Sequence, residues 1–214
     1  MQIITYEDVL SKESIGMIND TIGKDGVIIY PTDTLYGMGG NFFSLPLVGK
    51  IDRLKGRGDM PYSVLVSGLS MLDRLVDSIP PVFHELYEKI LPGKFTFLFK
   101  ASQSIEPGLL KGSDKIGIRI RIPGVPKILK LIEILNIPLI STSVNRTGEP
   151  PLNDPAAIAR EFSDHHAPLS IPLQINAGVL PPSRGSTILD ITGTPVKCIR
   201  KGDDFDRLKG LDID

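Results

Sequence analysis

Pro31-Thr32-Asp33-Thr34-Leu35-Tyr36-Gly37-Met38-Gly39-Gly40 follows directly on the apolar run Val27-Ile28-Ile29-Tyr30, and the reading of this stretch decides the fold. The apolar run predicts a buried strand, Gly26 to Tyr30, that leads into a loop carrying two threonine hydroxyls, a carboxylate, a phenol and three glycines. In an open α/β sheet, ligands bind at the carboxyl ends of the strands. Glycines there let the backbone approach a ligand or adopt positive φ, and hydroxyls suit oxyanions and amino-acid head groups. A polar turn after a core strand explains the segment equally well by itself. The binding reading gains weight because other strand ends carry similar chemistry.

Outward from this point the chain alternates. Ser11–Ile22 has Ile15, Ile18 and Ile22 at helical spacing. Helices are also expected over Pro46–Leu54, Leu69–Val76, Val82–Ile90 and Pro126–Leu135. A further one opens at Asp154-Pro155, where an N-cap precedes a proline in the first position. Strands are expected at Tyr62–Val66, Phe95–Phe99, Ile116–Ile122, Pro138–Ser141, Leu173–Ala177, Thr187–Ile191 and Val196–Ile199. Helices and strands alternate in the first two-thirds and strands cluster afterwards. This predicts one α/β domain, a twisted mixed sheet flanked by helices, over residues 1–202, with an acidic tail at 203–214.

The length of 214 residues suits one domain with a full core. A formal charge of −1 favours neither nucleic acid nor membrane, but it is unevenly spread. Lys111 to Lys130 holds six basic residues against Asp114, whereas Gly202 to Asp214 holds five aspartates against Arg207 and Lys209. The single cysteine, Cys198, excludes an intrachain disulfide and fits a reducing compartment. The N-terminus lacks the basic and apolar regions of a signal peptide, and no stretch is apolar enough to span a bilayer. A cytoplasmic location is expected. Phosphate-loop and dinucleotide-turn motifs are absent, no serine sits in a nucleophile elbow, and His84 and the pair His165-His166 lack zinc spacing.

What remains is a set of anion-binding pieces. Lys55-Gly56-Arg57-Gly58 places two cations one residue apart on a glycine-bracketed loop, suited to a phosphate or carboxylate, or simply to a helix C-terminus. Arg119 and Arg121, two apart on an expected strand, leave the same face, while Ile118, Ile120 and Ile122 take the other. Ser141-Thr142-Ser143-Val144-Asn145 puts hydroxyls and an amide at another strand end, where caps and Asx-turns are the rival explanation. Arg184-Gly185-Ser186-Thr187 and Ile199-Arg200-Lys201-Gly202 add hydroxyls and cations. Such pieces together favour an anionic ligand, most simply a nucleotide.

In this order the motifs resemble those of the YrdC-type threonylcarbamoyl-AMP synthases. The matching elements are Pro31 to Gly39, Lys55-Gly56-Arg57, Pro92-Gly93-Lys94-Phe95-Thr96, Ile120-Arg121-Ile122-Pro123, Thr142 to Gly148, Ser186 to Asp190 and Arg200-Lys201-Gly202. The resemblance implies a YrdC-like fold with a concave basic site. It also implies a nucleotidyltransferase that carbamoylates L-threonine with bicarbonate and adenylates it with ATP, for t6A modification of tRNA. By position, Thr32, Tyr36, Arg121, Thr142 and Ser186 would meet threonine and bicarbonate. Lys55, Arg57, Arg119, Ser143, Asn145 and Arg200 would meet ATP, with Lys55 and Arg57 also serving catalysis. Mg²⁺ would accompany ATP, and downstream t6A-transfer proteins would be partners. Chemistry of this kind needs positioning and charge neutralisation more than a protein nucleophile. The chain departs from the family at Lys94, Val144 and Pro151, in a segment from Arg57 to Pro61 about one residue short, and at Leu65-Val66-Ser67, where many members have a histidine. Tyr62-Ser63-Val64-Leu65 leans towards the YciO-type relatives, so an RNA-binding protein for tRNA or double-stranded RNA stands as the alternative. Lys50, Arg53, Lys55, Arg57 and the basic stretch would serve that role.

Overall fold

The computed structural model describes residues 1–56, 58, 60–162 and 171–214. Among these, ten strands form one mixed sheet: β1 (Gln2–Thr5), β2 (Ile28–Pro31), β3 (Tyr36–Gly39), β4 (Ser63–Leu65), β5 (Phe95–Lys100), β6 (Lys115–Arg119), β7 (Leu139–Ser143), β8 (Leu173–Asn176), β9 (Thr187–Asp190) and β10 (Lys197–Arg200). Their order across the sheet is β1-β8-β2-β3-β7-β4-β6-β5-β9-β10. Pairs β1/β8, β2/β8, β4/β6 and β5/β9 are parallel, and β2/β3, β3/β7, β4/β7, β5/β6 and β9/β10 antiparallel. The helices are α1 (Lys12–Gly23), α2 (Leu45–Lys55), α3 (Leu69–Asp73), α4 (Pro81–Ile90), α5 (Pro107–Leu110), α6 (Pro126–Leu135) and α7 (Pro155–Phe162). The α/β architecture with a mixed sheet is therefore the one expected.

Local chemistry sets the helix ends. The Ser11 and Ser44 hydroxyls accept from the Ser14 and Leu47 N–H groups, capping α1 and α2. Gly56 (φ 67°) and Asn136 (φ 52°) end α2 and α6 in the left-handed conformation. Helix α2 then buries Leu47, Val48, Ile51 and Leu54, and α6 buries Ile128, Leu131 and Ile132. Beneath α4, Phe83 meets Phe97 and Phe99 of β5 edge-on, with ring centroids 5.2 and 4.9 Å apart.

Two expectations change. The opening stretch is a hairpin rather than a strand and a loop: Thr32–Leu35 turns the chain, and β3 pairs back on β2 with Pro31 opposite Tyr36 and Ile28 opposite Gly39. Its glycines serve that packing. A Cβ on Gly39 would stand 1.6 Å from the Ile140 carbonyl oxygen of β7. The strand expected over Ile116–Ile122 stops at Arg119, and Arg121 takes the left-handed conformation with φ 48°. The acidic residues 203–214 lie against the sheet. Asp203 bridges to Ser186, the Cys198 N–H donates to the Asp214 carbonyl, and the Asp214 N–H donates to Val196. No described helix is long and apolar enough to cross a membrane.

Candidate functional site

The register of β3, β7 and β4 places small and hydroxyl residues side by side: Gly37 pairs with Ser143, and Ser63 with Ser141. Beside this patch the sheet opens into a cavity of about 480 Å³, within the range that small ligands occupy. Thr32, Thr34, Tyr36, Thr142, Ser143, Ser186, Arg119, Arg184 and Arg200 also line it. The structure thus gathers seven of the predicted residues, Thr32, Tyr36, Arg119, Thr142, Ser143, Ser186 and Arg200, around one opening.

Arg119, at the end of β6, is buried with its side chain 7% exposed. Its guanidinium pairs with Asp33, whose side chain is 1% exposed, and donates to Thr34 Oγ1 at 3.3 Å and Thr32 Oγ1 at 3.5 Å. Thr32 Oγ1 in turn donates to the Leu35 carbonyl at 2.6 Å and accepts from the Thr34 and Leu35 N–H groups at 3.2 Å. The hairpin turn is therefore one hydrogen-bonded unit around Arg119. Burial raises the Asp33 carboxyl above the usual carboxylate range, against the pull of Arg119. Asp33 Oδ2 and Arg119 Nε find no hydrogen-bond partner among the described residues.

Arg200, on β10, is held differently. Its Nε and Nη2 donate to the Ser186 carbonyl at 3.1 and 2.7 Å, and Nη2 reaches Ser186 Oγ at 3.2 Å. Ser186 Oγ also shares a 2.7 Å hydrogen bond with buried Thr96 of β5. No carboxylate lies within ion-pair distance of Arg200 among the described residues, and partial burial followed by the charge of Arg119 lowers its pKa. The backbone must come close here. A Cβ on Gly202 would stand 2.3 Å from the Gly185 carbonyl oxygen and 2.5 Å from that of Ser186.

Tyr36 closes a third side. Its hydroxyl donates to the Gly178 carbonyl at 2.8 Å and accepts from the Ala177 N–H at 2.9 Å, tying β3 to the 177–186 loop. Burial raises its phenol above the ordinary value.

The other predicted residues lie elsewhere. Lys55 is 3% exposed, and its ammonium donates to the Ser143 carbonyl at 2.7 Å, the Asn145 carbonyl at 3.1 Å and Asn145 Oδ1 at 2.9 Å. Asn145 Oδ1 also accepts from Ser143 Oγ at 2.6 Å, and its amide donates to the Arg146 and Glu149 carbonyls. Lys55 and Asn145 thus build the loop that presents Ser143. They do not line the cavity. Arg121 stands over the Tyr87 ring, 4.8 Å from its centroid, and leaves the face that Arg119 occupies, because the strand has ended between them. Arg57, His165 and His166 lie outside the described residues. Lys50 and Arg53 line a separate cavity of about 600 Å³ with Lys24 and Asp20.

Thr34, Ser63, Ser141 and Arg184 also line the cavity, and Asp33 and Thr96 hold residues that do; of these, Asp33, Thr34, Ser141 and Arg184 stand in the stretches that read as anion-binding. Ser63 is brought to the site only by strand register. Arg184 stands beside Ser186 in the sequence and was legible there. Among the described residues no group of three or more His, Cys, Asp or Glu is placed to hold a metal ion. The arrangement can bind anions, align hydroxyl-rich ligands and neutralise developing negative charge.

Residues 20–202 match the Sua5/YciO/YrdC family, described under the heading telomere recombination. The chain belongs to this family. Among its relatives is a Mycobacterium tuberculosis (strain H37Rv) protein provisionally named a threonylcarbamoyl-AMP synthase, 31% identical over 177 residues, 82% of this chain and 78% of that protein. The threonylcarbamoyl-AMP synthase of Pyrococcus abyssi is 26% identical over 94% of this chain and 57% of its own length. The crystal structure of P. abyssi Sua5 complexed with L-threonine superimposes with a TM-score of 0.84 at 25% identity, covering 100% of this chain and 63% of that one. E. coli YciO, at 24% identity and a TM-score of 0.79 over 94% of this chain and 96% of its own, shares the fold.

Proposed function

We propose that this member of the Sua5/YciO/YrdC family is an L-threonylcarbamoyladenylate synthase. The observation that carries the reading is the cavity itself: about 480 Å³, walled by serine and threonine hydroxyls and by Arg119, Arg184 and Arg200. Its scaffold matches a relative crystallised with L-threonine over the whole chain. The threonine amine attacks the carbon of bicarbonate, a C–O bond of bicarbonate breaks, and that oxygen leaves as water with the proton the amine gives up, forming N-carboxythreonine. A carbamate oxygen then attacks the α-phosphorus of ATP, and pyrophosphate leaves. No covalent bond to the protein is required, so its task is to align two substrates and offset charge.

In this reading Thr32, Thr34 and Arg119 form the seat for the threonine carboxylate and carbamate, with Thr142 beside them. Ser143, Ser186, Arg184 and Arg200 meet the phosphates. Tyr36 fixes the 177–186 loop against the cavity. Lys55 and Asn145 act through the loop that carries Ser143. Mg²⁺ would travel with ATP, held by phosphate oxygens rather than by a carboxylate cluster of the described residues. A cytoplasmic setting, tRNA as the eventual acceptor and t6A-transfer proteins as partners belong to the same reading. The test is binding of ATP and of L-threonine, each measured by calorimetry on the wild type and on Thr32→Val. Threonine affinity should fall about tenfold in the variant, with ATP affinity unchanged. Equal threonine affinity in both proteins would contradict this placement.

A further inference from the structure

Asp52 on α2, Lys111 at the end of α5 and Tyr62 just before β4 meet in a cluster that the substrate contacts described above do not use. Tyr62 is 5% exposed and lines the cavity with Met60, Pro61 and Ser63. Its hydroxyl donates to Asp52 Oδ1 at 2.6 Å. The Lys111 ammonium donates to that same oxygen and lies 4.6 Å from the centroid of the Tyr62 ring. The Lys111 side chain is 7% exposed, and its backbone holds the left-handed conformation (φ 51°). A lysine in that conformation with a buried ammonium has two unfavourable features, and the carboxylate and the ring face offset the second. Three elements are thus cross-linked through one aromatic ring at the cavity wall.

We propose that Tyr62 is a specificity-determining wall of the ligand cavity and that Asp52 and Lys111 are positioning residues that fix its ring. This rests on the functional reading above only for the identity of the ligand. Hydrogen bonding at one end of the phenol and a cation on its face leave the ring one orientation. The pyrrolidine of Pro61 and the side chain of Ser63 follow it along the chain. Asp52 lies one turn before Lys55 on α2, so the same helix presents the Ser143 loop through Lys55 and the Tyr62 wall through Asp52.

The test is a double-mutant cycle read on ATP affinity, with Asp52→Asn, Tyr62→Ala and the pair. Each single variant should weaken ATP binding about tenfold, and Asp52→Asn should add nothing in the Tyr62→Ala background. Tyr62→Phe, which keeps the ring and the Lys111 contact but loses the hydrogen bond to Asp52, should fall between wild type and Tyr62→Ala. Additive losses in the cycle, or wild-type affinity in Tyr62→Ala, would overturn the proposal. Should Asp52→Asn fail to fold, Lys111→Met takes its place in the cycle with the same expectation. If the wild type binds neither ATP nor L-threonine, the functional reading fails, and hydrogen exchange then decides the cluster. Amides of Tyr62 to Leu65 should exchange about tenfold faster in Asp52→Asn than in wild type. Unchanged protection would refute the positioning role.

Discussion

Arg119 and Arg200 line the same cavity, yet the fold treats their charges in opposite ways. Arg119 is buried and paired with Asp33, and its Nη1 and Nη2 groups also donate to Thr32 and Thr34 of the Thr32–Leu35 turn. Arg200 leans on the Ser186 carbonyl with no carboxylate within reach among the described residues. The charge of the first arginine is paired within the fold, and the same guanidinium holds the Thr32 and Thr34 hydroxyls in place. The second delivers positive charge to whatever enters. On the proposed function the two arrangements divide the work, one shaping a seat and one attracting an anion.

The largest effect should come from the uncancelled arm. Arg200→Ala should lower ATP-dependent pyrophosphate release by about 10²–10³-fold, with Arg200→Lys recovering part of it; wild-type turnover in the alanine variant would erase the distinction between the arginines. The cancelled arm should report on stability instead. Asp33→Asn leaves Arg119 buried without its counter-charge, so urea unfolding should show a loss of about 3 kcal/mol. Saturating ligand should stabilise this variant more than the wild type, because a bound anion replaces the carboxylate. Equal ligand stabilisation in both proteins would place the anion away from Arg119.

Between the arms, Thr96→Val removes the hydroxyl that shares a 2.7 Å hydrogen bond with Ser186. A loss of about 1 kcal/mol of positioning should appear as a rise in KM with the melting temperature nearly unchanged. A matching fall in melting temperature would make the contact purely structural.

The smallest effect concerns acid. Burial pushes Asp203 up, but the Ser183 hydroxyl, the Arg184 N–H and Lys94 bring it below its ordinary 3.8. Asp190 is likewise raised by burial and brought below 3.8 by Lys115 and Thr192. A folded-state pKa below the unfolded value contributes stability that is present above pH 3.8 and lost as pH falls through the folded pKa. Asp33 has the opposite sign, its ionised form being disfavoured by burial. Denaturant unfolding between pH 6 and about pH 2 should show Asp203→Asn with a shallower acid dependence than wild type. An unchanged slope would remove Asp203 from the account.

The sequence was a good guide wherever chemistry and local pattern coincide. Helix α6 occupies the expected Pro126–Leu135 because proline opens it, apolar spacing sustains it and Asn136 ends it. Ser186 and Arg200 were legible as hydroxyl and cation at strand ends, and the structure joins them. Where local pattern and observed placement part, tertiary contacts far along the chain or a change in backbone course decide the outcome. Lys55 reads as a phosphate clamp until β7 brings the Ser143 and Asn145 oxygens to its ammonium, 88 and 90 residues away. Arg121 reads as a twin of Arg119 because alternation continues past the point where ladder pairing stops. Tyr36–Gly39 reads as loop because its glycines depress strand propensity, although close approach to β7 requires a glycine at position 39.

The most direct measurement is pyrophosphate release from ATP, with L-threonine and bicarbonate present together and each omitted, followed by mass spectrometry of the products. The account predicts turnover only with both co-substrates, and a product with the mass of threonylcarbamoyl-AMP. Pyrophosphate release independent of threonine, or none under any condition while ATP binds, would contradict it.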